Sequence, residues 1–120
     1  MIVSPLTVER LGATEAMGIL CLHGPLTMEN VLSFLHAVRR EEQAESVVLD
    51  LTEVPYIDSS GLGSLVSACV SRQKAGRRLA LSGVNDRVLR LFEVTRTDSL
   101  FLIFETTDEA ITALHGAAQA

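Results

Sequence analysis

The run Asp58-Ser59-Ser60-Gly61-Leu62-Gly63 gathers the residues of this chain best placed to do chemistry. A serine beside an acid, ahead of closely spaced glycines, can be a nucleophile, part of a phosphate cradle, or a phosphate acceptor. A nucleophile elbow needs glycines two residues to either side of its serine, and neither Ser59 nor Ser60 has them. A P-loop ends in Gly-Lys-Ser/Thr, which is absent. The dinucleotide fingerprint needs a third glycine, but Gly61-Leu62-Gly63 runs on into Ser64, Leu65 and Val66. His23, His36 and His115 are far apart and lack metal-ligand spacing, so each reads as a surface or partly buried histidine. Cys21 and Cys69 lie in apolar patterns and read as small core residues rather than a disulfide or redox pair. The expectation is therefore no catalytic residue, no cofactor and no metal.

What remains is a serine at a helix N-terminus. Free backbone N–H groups and the helix dipole favour an anion there. A phosphate on Ser59 would add about −1.5 to −2 charges, with Asp58 close enough to repel it. Asp58 or Ser59 can equally serve as a simple helix cap. On the local residues alone, the cap reading stands ahead of the switch. Gly61 and Gly63 keep their helix face small, so that another backbone or side chain can come close.

The surrounding pattern supplies the elements that hold this run. Residues 6–10 alternate weakly, as an edge strand would, and residues 12–15 read as a turn into a buried strand over 17–22. Gly24-Pro25 breaks the pattern. Thr27 is the expected N-cap of a helix over 28–42, with Val31, Leu35 and Val38 inward and the charged stretch 39–42 solvated. Residues 46–51 are short, apolar and β-branched, the signature of a central strand. A turn containing Pro55 leads to a second helix over 60–75, with Leu62, Leu65, Val66, Cys69 and Val70 inward and Gly76 as its left-handed stop. A strand over 78–82, a helix over 84–95 capped by Asn85 with Val88, Leu91 and Phe92 inward, and a strand over 100–104 follow. Thr106 and Glu109 form a capping-box pattern for a last helix through Ala110, Ile111 and Leu114, with residues 116–120 fraying. The order β-β-α-β-α-β-α-β-α predicts one α/β domain over residues 1–120, a mixed, mostly parallel sheet covered by helices. Function in such folds gathers beyond the carboxyl ends of the strands, here residues 24–27 and 55–63.

Composition narrows the classes further. At 120 residues and 48% hydrophobic content, the chain can close one core and is not expected to be disordered. The formal net charge of −5 argues against a direct nucleic-acid partner. Arg39-Arg40, Arg72 with Lys74, and Arg77-Arg78 read instead as cations complementing helix ends. No apolar run reaches the roughly 18 residues of a membrane span, so no membrane insertion is expected. The N-terminus lacks a charged region followed by a long apolar stretch, and the reading is cytoplasmic.

Taken together, residues 47–63, the segments Leu81-Ser82-Gly83-Val84-Asn85 and Val88-Leu89-Arg90-Leu91-Phe92-Glu93-Val94-Thr95, then Leu100-Phe101 and Asp108-Glu109-Ala110, resemble the STAS family. These are the anti-sigma-factor antagonist domains of bacteria, and the resemblance covers nearly the whole chain. It implies that the serine directly after the motif's Asp, Ser59 here, accepts phosphate from an anti-sigma factor that is also a serine kinase. The unmodified antagonist binds the kinase, phosphorylation releases it, and a phosphatase resets it. The domain is then a substrate and binding partner, not an enzyme. The implied contact surface is Thr27, Asp58, Ser59, Ser60, Gly61, Leu62 and Gly63. Two positions depart from the family pattern: Thr27 stands where an acid is common, and Arg96 where glycine is common. The alternative role is an unphosphorylated accessory subunit docked on a membrane transporter or another regulatory complex.

Overall fold

The computed structural model describes residues 5–11, 14 and 16–119, with backbone alone over 116–119. The elements are β1 (Thr7–Leu11), β2 (Met17–His23), α1 (Val31–Arg39), β3 (Ser46–Glu53), α2 (Ser59–Lys74), β4 (Arg78–Ser82), α3 (Asp86–Val94), β5 (Leu102–Phe104) and α4 (Thr107–Gln119). This is the expected order. The strands lie side by side in sequence order, β1 antiparallel to β2 and every other neighbouring pair parallel. Most of the expected turn over 12–15 lies outside the described residues.

The period-2 alternation of strands sorts the side chains into two layers. Leu20, Leu22, Val47, Leu49, Leu51, Leu79 and Leu81 face the main core, where they meet Phe34 and Val38 of α1, Leu65 and Cys69 of α2, and Val88 and Phe92 of α3. Ile19, Val48 and Ala80 face the other way, under Ala110 and Leu114 of α4. Covered on both sides, β3 is buried at every position from Ser46 to Leu49, which is why it reads as an unbroken apolar run. At Asp50 that pattern stops, and the outward face of β1–β3 turns polar.

Several local expectations change in the folded chain. Thr27 is not the cap of α1: residues 27–30 form a turn closed by Asn30 N–H donating to Thr27 O (2.8 Å), and α1 begins after Asn30. Glu41 is not solvated. It is 8% exposed and paired to Arg10 at 3.0 Å, beside Gly18, where any Cβ would collide with its carboxylate. Arg72 is buried too, its guanidinium donating to the carbonyls of Glu41, Ala44 and Arg78 and so bracing the segment after α1 against α2 and β4. In α2 Val70 is exposed, whereas Ser64, Ala68 and Arg72 are buried, so the true stripe is rotated from the expected one. In α1 the deepest residue is Phe34. The last strand starts at Leu102, because Asp98–Leu100 form a short 3₁₀ turn. The tail expected to fray is helical to Gln119. Other expectations hold: Gly76 ends α2 with φ 73°, Asn85 Oδ1 accepts from Val88 N–H (2.8 Å), and Thr106 Oγ1 accepts from Glu109 N–H (3.1 Å).

Candidate functional site

The two segments singled out at the strand ends are laced together. Leu26 and Ile57 form a parallel bridge; Leu26 N–H donates to Tyr56 O (3.2 Å) and Asp58 N–H donates to Leu26 O (3.2 Å). The approach is so close that a Cβ on Gly61 would run into the Leu26 carbonyl. Glycine is required there by a backbone neighbour rather than by φ.

Asp58 is the cap of α2. Its Oδ1 accepts from Gly61 N–H (2.8 Å), and its Oδ2 accepts from Met28 N–H in the adjacent loop (3.0 Å). One carboxylate therefore starts a helix and fastens the neighbouring loop to it. Ser59, the first residue of α2, is exposed, while Ser60 and Leu62 are half-buried and Gly61 is buried. Gly63 behaves unlike Gly61: it is exposed, and among the described residues nothing beyond its chain neighbours and its own helix backbone lies within 4 Å of where its Cβ would stand. The close approach expected for both glycines thus occurs at Gly61, and Gly63 leaves a bare spot on the outer surface.

Thr27 is 8% exposed, and its hydroxyl donates to the Glu29 carboxylate (2.8 Å). A negative charge is thereby held two residues beyond the position where the family pattern often has its acid. Around the turn, Met28 (67% exposed) and Leu32 (70%) stand out from the α1 side, with Val94 (73%) on α3. Tyr56, Ile57, Asp58, Arg87, Leu91 and Val94 line a groove of about 440 Å³. The Arg87 guanidinium lies 5.2 Å from the centre of the Tyr56 ring, in cation–π range. Asn85 Nδ2 donates to Val54 O (3.1 Å) and so ties the start of α3 to the same turn.

A second polar assembly lies on the opposite face of the sheet, which the sequence reading did not anticipate. Cys69 is buried as expected, but Cys21 is only half-buried. It shares the outward face of β2 with His23, directly across from Glu9 of β1. His23 Nδ1 is 2.8 Å from Glu53 Oε2, and Nε2 is 3.4 Å from Glu9 Oε1. Hydrogen bonding to Glu53, the dominant influence, pushes the imidazole above its ordinary value, with Glu9 adding to it. Burial pushes the Cys21 thiol up, reinforced by the negative charge of Asp50, Glu9 and Glu53. For Asp50 itself, burial acts upward, but hydrogen bonds from Thr52 and Thr107 outweigh it and hold the carboxyl below its usual range.

Comparison with known proteins bears on the fold and its family. A 53-residue stretch is 51% identical to the anti-sigma-B factor antagonist of Listeria monocytogenes, covering 42% of this chain and 46% of that protein. The match thus spans about half the length of this curated relative. The protein TM1081 of Thermotoga maritima superposes with a TM-score of 0.82 at 27% identity, over 90% of this chain and 94% of that one. The Bacillus cell-fate determinant SpoIIAA, in its phosphorylated form, has a TM-score of 0.70 at 15% identity over 90% of this chain and 99% of its own, a likeness of fold. The model of the STAS domain matches residues 7–110, from the first strand through the start of the last helix and across the whole Asp58–Gly63 turn; the chain belongs to the STAS domain family.

Proposed function

We propose that this chain is an anti-sigma-factor antagonist that binds an anti-sigma factor/serine kinase while Ser59 is unmodified and leaves it when Ser59 is phosphorylated, a phosphatase restoring the binding form. The observation that carries the reading is the exposed hydroxyl of Ser59 at the first position of a 16-residue helix, beside a carboxylate whose two oxygens both accept backbone hydrogen bonds. The helix terminus can accept the new anion. Asp58, held by the Gly61 and Met28 N–H groups, cannot swing away, so a phosphate must point outward, into whatever partner covers the turn. Bringing a dianion into a fitted contact opposes binding by desolvation and like-charge repulsion. A 100-fold loss of affinity requires only about 2.7 kcal/mol.

The contact surface extends over Thr27, Asp58, Ser59, Ser60, Gly61, Leu62 and Gly63, with exposed Met28 and Leu32 beside it. The partner supplies the ATP and the chemistry, and the chain is its substrate. The role named for the Listeria relative supports the partner class, and the phosphorylated form of SpoIIAA supports a phosphate on this fold.

The test is a pull-down from the native lysate with wild type and Ser59→Asp as parallel baits, coupled to phosphopeptide mapping. A kinase-like anti-sigma factor is expected on wild type and reduced at least tenfold on Ser59→Asp, with phosphate on Ser59. Phosphate on Ser60 overturns the assignment of the acceptor. A transporter subunit recovered equally by both baits overturns the switch and makes the turn an accessory docking surface.

A further inference from the structure

We infer that the outward face of the β1–β2 hairpin is a zinc site, with Glu9, Cys21 and His23 as ligands and Glu53 as the group that orients His23. One carboxylate oxygen of Glu9, the Cys21 sulfur and a ring nitrogen of His23 all lie within 4.8 Å of one another. The topology explains why. Glu9 and Cys21 are directly paired across the antiparallel ladder, and His23 follows Cys21 by two residues, so all three project from one face.

The position of Glu53 comes from an irregularity. Cys21 pairs with Asp50, but His23 pairs with Glu53, so three steps on β3 match two on β2. The extra residue is a bulge, and it turns Glu53 onto the face it would otherwise miss. Glu53 then takes His23 Nδ1 at 2.8 Å and leaves Nε2 turned toward Glu9 Oε1. A carboxylate on the far nitrogen of a ligating histidine is the usual arrangement around protein-bound zinc. Ligands at about 2.0–2.3 Å on a tetrahedron stand about 3.3–3.6 Å apart. The Nε2–Oε1 separation of 3.4 Å falls in that range.

Thiolate, imidazole and carboxylate are a donor set for Zn²⁺, with water completing the tetrahedron. The charge balance agrees. Glu9, Asp50 and Glu53 surround the thiol with negative charge, and a dication relieves their repulsion when the Cys21 proton leaves to solvent and the thiolate takes its place. The bound ion ties edge strand β1 to β2, on the face of the sheet away from α2. The site is independent of the Ser59 reading.

The test uses the full chain, reduced and metal-free, titrated with Co²⁺ as a spectroscopic probe and then with Zn²⁺ by calorimetry. The expected result is one equivalent bound, with a thiolate-to-cobalt charge-transfer absorption that Cys21→Ser abolishes and Cys69→Ser keeps. Glu9→Gln and His23→Ala each weaken binding at least tenfold, and Glu53→Gln weakens it about 10–100-fold, as for an outer-shell partner. Circular dichroism of each variant checks that the fold persists. The site is overturned if the absorption is absent, if it follows Cys69, or if Glu9→Gln and His23→Ala leave the affinity unchanged.

Discussion

The Asp58–Ser59 turn and the Glu9–Cys21–His23 face are both polar, and they are built in opposite ways. At the turn, side chain meets backbone: Asp58 accepts from two N–H groups, and Gly61 yields space to a carbonyl. Such bonds are part of the fold and hold a surface in one shape. On the sheet face, side chain meets side chain: His23 bridges Glu53 and Glu9, and Cys21 lies among carboxylates. Exposed pairs of that kind add little stability, so these groups stay free to exchange a proton or one another for an ion. Rigid presentation suits a surface another protein must recognise; a loosely held donor set suits a ligand that organises it.

That contrast can be broken by substitution. The largest effect is expected from Gly61→Ala, which forces a methyl against the Leu26 carbonyl; it should destabilise the protein by about 1–3 kcal/mol in urea titration while metal affinity stays unchanged. Asp58→Ala removes the cap and the bond to Met28 and should lose about 1–2 kcal/mol. Asp58→Asn should lose less, since asparagine caps as well as aspartate; its gap from Asp58→Ala measures the capping bond, and its loss from wild type measures what the charge adds. If Asp58→Ala is neutral, the turn is not built as argued.

Smaller effects sharpen the comparison. Arg96 has φ 59°, so the departure from glycine noted in the sequence falls on a left-handed residue after α3. Arg96→Gly should stabilise the chain by about 0.5–1 kcal/mol, the relief of that conformation less the entropy of glycine. A loss of stability would mean the arginine side chain supports the helix end. Smallest of all, Cys21→Ser should move the metal-free stability by no more than about 0.5 kcal/mol, although it removes the metal signal altogether. A large loss without metal would make Cys21 a packing residue, as the sequence suggested.

Much of this molecule was legible in the chain of residues because its signals are local. The apolar run of β3, the asparagine before α3 and the glycine after α2 act through neighbours in sequence, and each does in the structure what its type predicts. Where reasoning slipped, the deciding neighbour was remote. Thr27 has a cap's chemistry, but the parallel bridge at Leu26 and the Asp58 carboxylate, about thirty residues on, hold its loop in a turn instead. Glu41 looked solvated until Arg10 and Gly18 came beside it, and Arg72 looked like a helix-end cation until the carbonyls of Glu41 and Ala44 took its guanidinium.

The sequence by itself thus determined the order of elements, the parallel sheet and the serine at the mouth of α2, since periodicity and capping need only the nearest few residues. The tertiary structure decided which oxygen of Asp58 caps α2 and which holds the Met28 loop, that Gly61 and Gly63 do different work, and that Glu9, Cys21, His23 and Glu53 share one face. Spacing of histidines along the chain gave no hint of that last set, because its members meet through strand register and a bulge. Register is settled when whole strands pack, not by any residue's own preference.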